Sequence, residues 1–184
     1  MGRAHAEAMS HEIEAKIKVA ALEPIEDKLK ELNADFVHSV QQVDAYFMDT
    51  HEQLRKDDCG LRIRQEIAAG QTTARITFKG PRTDSKFKSR SEYETSIDDI
   101  EMMENIFESL GYHKRLTFEK KRTVWSLDAC EVCLDTLPQL GCFVEVEGPG
   151  EGVISAVLKK LGLHNEPHIS RGYASMMSRK LKQE

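Results

Sequence analysis

Pairs of acidic residues two positions apart occur near both ends of this chain of 184 residues. Glu12 and Glu14 form one pair, and Glu145 and Glu147 form the other. Residues two apart on a β-strand project from one face, about 7 Å apart. Two carboxylates this close repel each other unless a cation lies between them, and Mg²⁺ or Mn²⁺ prefers such oxygens. The four glutamates, together with Asp135, are therefore candidate metal ligands.

Basic residues repeat the same spacing and would suit an anion. Arginine can bind phosphate through two parallel hydrogen bonds, whereas lysine offers a point charge. A focused basic site in a chain of net charge −5 suits a small polyphosphate better than a nucleic acid. The candidate phosphate-binding residues are Arg62, Arg64, Lys79, Lys88, Arg90, Lys120 and Arg122. The alternative is that these charged faces are solvated and paired with each other across neighbouring strands.

Strands and helices that carry these residues follow from the spacing of apolar residues. Period-two alternation predicts strands near residues 11–19, 37–48, 60–66, 73–79, 90–97, 117–127, 130–134 and 143–147. Helical spacing, with capping residues and glycines, predicts helices near 23–33, 98–110, 151–161 and 168–182. Residues 49–58 are expected to form a loop. Gly80-Pro81 should end a strand, and a mobile basic loop should follow at 82–89.

Closing these strands into a barrel would give both the apolar and the charged face of each strand a suitable environment. Apolar faces would pack outward against helices, and charged faces would line a polar lumen. We therefore predict an α+β fold, a closed antiparallel β-barrel of about eight strands with a charged lumen. Divalent ions on the carboxylates would join a polyphosphate held by the bases.

Composition bounds the remaining possibilities. The chain is 40% hydrophobic and 31% charged, which is typical of a globular protein, and no apolar run approaches the roughly 20 residues of a membrane span. No secretion signal opens the sequence, which predicts a cytoplasmic protein with reduced thiols. We expect residues 1–9 to be a disordered extension or tag and 10–184 to form one domain. Cys130 and Cys133 form a C-x-x-C without a second ligand pair, which argues against zinc.

The motifs together resemble the CYTH domain, or triphosphate tunnel metalloenzyme, family. The segment E-x-E-x-K at Glu12–Lys16 resembles its signature, and the resemblance continues through GLRIR, TFKGPR, SRSEYE, EKKR and VCLDTLPQLGCFVEVEG as far as Tyr173. Within the family the chain is most similar to the class IV adenylyl cyclase branch. Two segments depart from that branch's pattern, DAYFMDT and SRGYASMM, and the second borders one mouth of the expected tunnel.

This resemblance implies a triphosphate inside the tunnel and Mg²⁺ or Mn²⁺ as cofactor. It implies a cyclase that converts ATP into cAMP and pyrophosphate, with Lys16, Lys79 and Arg122 as catalytic residues. The same tunnel would serve a triphosphatase acting on thiamine triphosphate or inorganic tripolyphosphate, with Lys16 or a neighbouring base activating water. A non-catalytic polyphosphate-binding module is the alternative of another class. The family also suggests a homodimer, and the sequence points to neither a nucleic acid nor a membrane as partner.

Overall fold

The computed structural model describes residues 10–83 and 86–182, with side chains from residue 13 onward. Residues 1–9, predicted as an extension or tag, lie outside this part of the chain. The strands are β1 (Ser10–Val19), β2 (Asp35–Asp49), β3 (Gly60–Ala68), β4 (Gln71–Arg82), β5 (Lys88–Ile97), β6 (Tyr112–Leu127), β7 (Cys130–Leu137) and β8 (Gly141–Glu147). The helices are α1 (Glu23–Glu31), α2 (Gln53–Lys56), α3 (Ile100–Ser109), α4 (Glu151–Lys160) and α5 (Tyr173–Lys180).

The eight strands close into an antiparallel barrel in the order β1-β5-β4-β3-β2-β6-β7-β8, which confirms the predicted fold class. Alternation decides which side chains face inward, because successive residues of a strand point to opposite faces. On β1, Ala15 and Ile17 pack in an apolar layer outside the barrel, whereas Glu14 and Lys16 line a central cavity.

Two apolar layers hold the helices against the outside of the barrel. Leu29 of α1 and Ile154 of α4 pack on the outer faces of β1, β7 and β8, in a layer that includes Val146. Phe107 of α3 packs on Phe47 and neighbouring residues of β2 and β3. The capping of α3 follows its sequence, because the Asp99 side chain accepts a hydrogen bond of 2.8 Å from the Met102 amide.

The last helix lies across one end of the barrel. Tyr173 and Met177 of α5 pack against Phe118 and Phe143, which stand on the inward faces of β6 and β8. The helix was predicted to begin near residue 168, and that boundary is wrong. Residues 168–172 have no regular secondary structure, and the Ile169 amide donates a 2.8 Å hydrogen bond to the Lys16 carbonyl.

Three predicted boundaries around the barrel rim were also wrong. The strand β4 does not end at Gly80-Pro81, because a shift in its register with β5 after Lys79 accommodates the proline. The connection to β5 is shorter than the predicted loop, since Lys88 belongs to the strand and Phe87 is buried in the apolar layer. The polar segment 49–58 contains the one-turn helix α2.

None of the described helices has the length and apolar character needed to cross a membrane.

Candidate active site

A cavity of about 1120 Å³ runs through the barrel. Its two ends differ. The α5 mouth is lined by Tyr46, Met48, Leu116 and residues of α5, and the opposite mouth is lined by His38, Glu66, Glu131 and Glu147. Charged side chains from the strands fill the lumen between the two mouths.

The two glutamate pairs of the sequence lie on adjacent strands. In the register of β1 with β8, Glu14 stands opposite Glu147 and Lys16 stands opposite Glu145. The Lys16 ammonium lies 2.9 Å from the Glu145 carboxylate and 3.4 Å from that of Glu14. Lys88 of β5 approaches Glu14 from the other side at 2.6 Å. The structure therefore brings together Glu14, Glu145 and Glu147, whereas the side chain of Glu12 lies outside the described residues.

Asp135 of β7 is completely buried beneath these glutamates. It accepts hydrogen bonds from Arg122 at 2.5 and 2.7 Å, from Lys120 at 3.1 Å and from the Tyr173 hydroxyl at 2.8 Å. Arg122 also contacts Glu145, which links Asp135 to the glutamate pair. Four donor contacts from three residues engage the Asp135 carboxylate, so its clearest structural role is to position Lys120, Arg122 and Tyr173.

A second acidic centre, Asp44 of β2, holds the arginine pair of β3. Arg64 makes two parallel hydrogen bonds to Asp44, of 2.6 and 2.8 Å, and Arg62 lies 3.9 Å from the same carboxylate. Arg62 also donates a 3.0 Å hydrogen bond to Thr77. Nearby, Lys79 of β4 pairs with Glu92 of β5.

Three buried polar atoms of the lumen have no hydrogen-bond partner among the described residues. They are Nε of Arg62, Nε of Arg90 and the side-chain oxygen of Gln42. Burying a donor without a partner costs about 1–3 kcal/mol, so such groups in a cavity mark where a ligand would bond. Among the described residues, the carboxylate that forms an ion pair with Arg90 is that of Asp58, 3.9 Å away.

Burial and pairing displace the pKa values of the lumen groups in different directions. Burial alone would lower the pKa of Lys16, but the carboxylates of Glu145 and Glu14 outweigh it and raise that pKa. For Lys120 burial prevails, helped by the positive charge of Arg122, and the pKa falls to about 8. Burial opposes ionisation of Glu145, yet Lys16 and Arg122 hold its pKa well below the usual range. Lys16 therefore stays charged, and Lys120 can lose its proton near neutral pH.

The acidic groups suit a hard divalent ion in chemistry. Glu14, Glu145 and Glu147 offer carboxylate oxygens on two adjacent strands, the ligand type that Mg²⁺ and Mn²⁺ prefer. No group of three or more histidine, cysteine, aspartate or glutamate side chains in the described part of the chain is arranged to hold an ion as it stands. Glu14 and Glu145 instead form ion pairs with Lys16, Lys88 and Arg122. A metal ion could bind these carboxylates only if the three basic side chains left them and paired with another anion, such as a phosphate.

The predicted site residues converge closely. All seven candidate phosphate-binding residues, and Lys16, line the one cavity. Sequence reasoning gave no role to Asp44, Gln42, Arg75 or Tyr173. The sequence could have identified Asp44 and Gln42, because they alternate with the apolar residues of β2 and so share its inward face. Tyr173 had none, because its approach to Asp135 depends on where α5 lies.

Comparisons with known proteins agree with this geometry. The model of the CYTH domain family matches residues 10–173. A Methanocaldococcus jannaschii protein named "Putative adenylate cyclase MJ0240" is 33% identical over 136 residues, covering 74% of this chain and 75% of that protein.

Solved structures share the fold as well. The PH1819 protein from Pyrococcus horikoshii has a TM-score of 0.81 at 25% identity, over 92% of this chain and 99% of its own. HpAC1 from Hippeastrum, named a "putative adenylyl cyclase" with a dominant triphosphatase activity, has a TM-score of 0.65 at 16% identity, over 92% of this chain and 95% of its own. The extent of the family match, together with the charged eight-stranded tunnel, establishes that this chain belongs to the CYTH domain family.

Proposed function

We propose that the tunnel binds a triphosphate together with a divalent metal ion, and that the chain is an adenylyl cyclase of the class IV type. The observation that carries this proposal is that the Nε–H groups of Arg62 and Arg90 are buried without a hydrogen-bond partner among the described residues, in the lumen that also holds Glu14, Glu145 and Glu147. A site that presents donors for an anion and carboxylates for a cation suits a metal-bound polyphosphate. The 33% identical relative with the name "Putative adenylate cyclase MJ0240" supports the choice of ATP.

In this proposal the basic side chains of the lumen together bind the three phosphates. Arg62, Arg64 and Arg90 supply guanidinium donors along β3 and β5, and Lys79, Lys88, Lys120 and Arg122 add charge from the other walls. The 3′-oxygen of ATP attacks the α-phosphorus, the bond to the β-phosphate oxygen breaks, and pyrophosphate leaves. Lys16, Lys79 and Arg122 stabilise the charge that gathers on pyrophosphate, and the raised pKa of Lys16 keeps it protonated for this role.

Glu14, Glu145 and Glu147 would hold the metal ion, with Glu12 as a further ligand proposed from the sequence. Asp135 was predicted as a ligand too, and we now propose that it positions Lys120 and Arg122. An ion on these carboxylates would lower the pKa of the 3′-hydroxyl and neutralise charge on the leaving group. Both Mg²⁺ and Mn²⁺ suit the oxygen-only donor set.

A second candidate, hydrolysis of a triphosphate, is favoured by one observation. The pKa of Lys120 is lowered to about 8 by its burial and by Arg122, so a fraction of its amine is neutral near pH 7. A neutral amine can accept a proton from water that attacks the terminal phosphorus; the bond from that phosphorus to the bridging oxygen breaks, the diphosphate leaves, and phosphate forms. HpAC1, which shares this fold, is described as having a dominant triphosphatase activity, so thiamine triphosphate and tripolyphosphate also belong among the substrates tested.

A substrate panel separates these candidates. ATP, thiamine triphosphate and tripolyphosphate are each incubated with the protein and Mg²⁺ or Mn²⁺, and cAMP, pyrophosphate and phosphate are measured. The cyclase proposal expects cAMP and pyrophosphate in equal amounts. Phosphate without cAMP would support the triphosphatase instead, and tight binding without any product would support a non-catalytic polyphosphate-binding module.

The metal assignment predicts a selective effect of Glu147→Gln. Removing one carboxylate charge should lower turnover at least a hundredfold, since each lost metal or charge contact in such sites costs about 3 kcal/mol, while the unfolding midpoint changes little. Glu119→Gln is the matched control, because Glu119 is exposed on the outward face of β6. Unchanged turnover in Glu147→Gln would contradict the assignment.

A further inference from the structure

The side chain of Tyr173, the first residue of α5, reaches two lysines of the lumen. The Lys16 ammonium lies over the Tyr173 ring, 4.2 Å from the ring centroid, and the Lys120 ammonium lies over the same ring at 4.8 Å. A cation over an aromatic face is attracted by the quadrupole of the ring, most strongly where water is excluded. Both lysines are 2% exposed, so the ring replaces part of the hydration that each ammonium has lost.

The hydroxyl of Tyr173 makes a separate contact at the far end of the same side chain. It donates a 2.8 Å hydrogen bond to Asp135. The Asp135 carboxylate also accepts hydrogen bonds from Lys120 and Arg122. Tyr173 therefore acts on Lys120 in two ways, directly through its ring and indirectly through the carboxylate that its hydroxyl fixes in place.

The segment that leads into α5 holds Lys16 as well. The Ile169 amide donates a 2.8 Å hydrogen bond to the Lys16 carbonyl, and the Lys16 ammonium donates one of 3.3 Å to the Arg171 carbonyl. The backbone of Lys16 and the end of its side chain are thus both attached to residues 169–173. Because these residues continue into α5, the position of the helix determines where the Lys16 ammonium lies.

The Tyr173 ring differs in charge from the carboxylates that contact the same lysines. Glu145 and Asp135 attract the two ammonium groups as anions, so they compete with a phosphate for them. The ring carries no net charge, so an ammonium can turn toward a phosphate and keep its contact with the ring. Tyr173 can therefore hold both lysines in place while their ion pairs are exchanged for a phosphate.

Resting on the proposed function, we propose that Tyr173 is a positioning residue that holds the ammonium groups of Lys16 and Lys120 where the phosphates of the substrate bind. Packing fixes the ring itself, because Tyr173 is 6% exposed and meets the Phe143 ring edge-on, with centroids 5.2 Å apart. Met177, one turn further along α5, belongs to the same apolar cluster. Docking of α5 on the barrel thereby aligns two basic groups that belong to β1 and β6.

Removing the Tyr173 ring tests this inference. Turnover of the triphosphate identified by the substrate panel is measured with Mg²⁺ in wild type and in Tyr173→Leu. Because misplacing a reacting group by about 1 Å can cost about a hundredfold in rate, Tyr173→Leu should lower kcat about a hundredfold. KM should change much less, since the arginines of the lumen still bind the phosphates. Tyr173→Phe keeps the ring and loses one hydrogen bond, so its kcat should stay within about tenfold of wild type.

Met177→Ala is the matched control for the packing of α5. Met177 is 1% exposed in the cluster that contains Tyr173, so its truncation leaves a cavity and should lower the unfolding midpoint in urea. If Tyr173 acts by positioning the lysines rather than by filling space, the kcat of folded Met177→Ala should stay close to that of wild type.

The placement of the lysines has a readout of its own. An aromatic ring shifts the NMR signals of protons above its face, so the Cε protons of Lys16 and Lys120 should be shifted upfield in wild type and Tyr173→Phe, but not in Tyr173→Leu. Unshifted lysine signals in wild type, unchanged kcat in Tyr173→Leu, or an equal loss of kcat in Tyr173→Phe or Met177→Ala would overturn the inference alone. Absence of product from every triphosphate with the unmodified protein would overturn the proposed function, and the inference with it.

Discussion

At the scale of single residues, the lumen is a network in which nearly every predicted ligand already has a partner of opposite charge. Glu145 is shared by Lys16 and Arg122, and Asp135 by Lys120 and Arg122. The alternative considered from the sequence, cross-strand ion pairing, is therefore part of the structure. In these pairs each charge neutralises the other. Without its partner, a buried charge would lower the free energy of unfolding by several kcal/mol. Substituting a residue of this network should reduce both stability and ligand binding, whereas substituting a residue at its margin should reduce mainly ligand binding.

Arg90 lies at the margin of this ion-pair network. Its Nε has no partner among the described residues, so we expect Arg90→Gln to weaken tripolyphosphate binding by about 1.5–3 kcal/mol, the contribution of a charged hydrogen bond. Stability should change much less than in Arg64→Gln, which leaves Asp44 without its two parallel hydrogen bonds. Calorimetric titration and urea unfolding of both variants measure the two effects. A larger loss of stability in Arg90→Gln than in Arg64→Gln would contradict this assignment.

Asp44 belongs to the network, since it is 1% exposed and faces two arginines. Removing one partner of a buried ion pair costs about 3–5 kcal/mol, so Asp44→Asn should lower the free energy of unfolding by that amount. Asp27→Asn, on the exposed face of α1, is the control and should change it by less than about 0.5 kcal/mol.

The Asp44 contribution should also depend on pH. Burial would raise the pKa of this carboxyl, but Arg64 and Arg62 lower it below the ordinary 3.8. A carboxyl whose pKa is lower in the folded state stabilises the fold above its unfolded pKa and loses that contribution as the pH falls through the folded value. The difference in unfolding free energy between wild type and Asp44→Asn should therefore be constant from pH 5 to 7 and shrink below about pH 4. A difference that grew in acid would contradict the pairing.

At the scale of the elements, the strands carry the chemistry and the helices hold the strands in place. Lys88 reaches Glu14 because Phe87, one residue earlier, is anchored in the outer apolar layer against His168. Lys86 lies in the segment predicted to form a mobile loop, but its ammonium donates a 3.1 Å hydrogen bond to Ser155 of α4. The C-terminal end of the connection between β4 and β5 is thus attached to the outside of the barrel.

The junction of β8 with α4 shows how tightly a helix is fitted to the strand that carries Glu145 and Glu147. A Cβ added at Gly148 would lie 2.6 Å from the Cys130 sulfur and 3.2 Å from Ile154. Gly148→Ala should therefore cost about 1–3 kcal/mol through overpacking. Gly150→Ala is the matched control, because nothing lies within 4 Å of its Cβ. Urea unfolding measures both, and equal costs would show that the contact is readily relieved.

At the scale of the whole molecule, the tunnel concentrates opposite charges in a space shielded from solvent. Without a ligand, the bases and acids neutralise each other across the lumen. A triphosphate would draw the bases to itself and release Glu14 and Glu145, and the metal ion would take the released carboxylates. Each ligand would therefore prepare the site of the other, through the same ion pairs.

This exchange predicts cooperative binding. Mg²⁺ should raise the affinity for tripolyphosphate, and tripolyphosphate should raise that for Mg²⁺ by the same factor, about 5–150-fold, because linkage is reciprocal. Mg²⁺ alone should hardly change the melting temperature. Calorimetric titrations in both orders measure the factor, after correction for Mg²⁺ bound by free tripolyphosphate. Independent binding of the two ligands would contradict the exchange of ion pairs.

A cytoplasmic location and a homodimer remain predictions from the sequence. Size-exclusion chromatography with light scattering tests the second of them, because the mass of a dimer is twice that of the chain.

The sequence by itself determined which residues share a face. Alternation along a strand is a local consequence of backbone geometry, so Glu14 with Lys16, Arg62 with Arg64, and Glu145 with Glu147 could be placed on one surface each. It also predicted the closed barrel, because so many charged faces require a common interior. The sequence predicted helix boundaries less well where contacts with distant parts of the chain hold a segment in place, as at residues 168–172.

Only the tertiary structure decided how these faces meet. The register that sets Lys16 opposite Glu145, the burial that lowers the pKa of Lys120, and the position of Tyr173 against Asp135 all join segments far apart in the chain. Register and burial depend on the free energy of packing the whole barrel, which no local pattern contains.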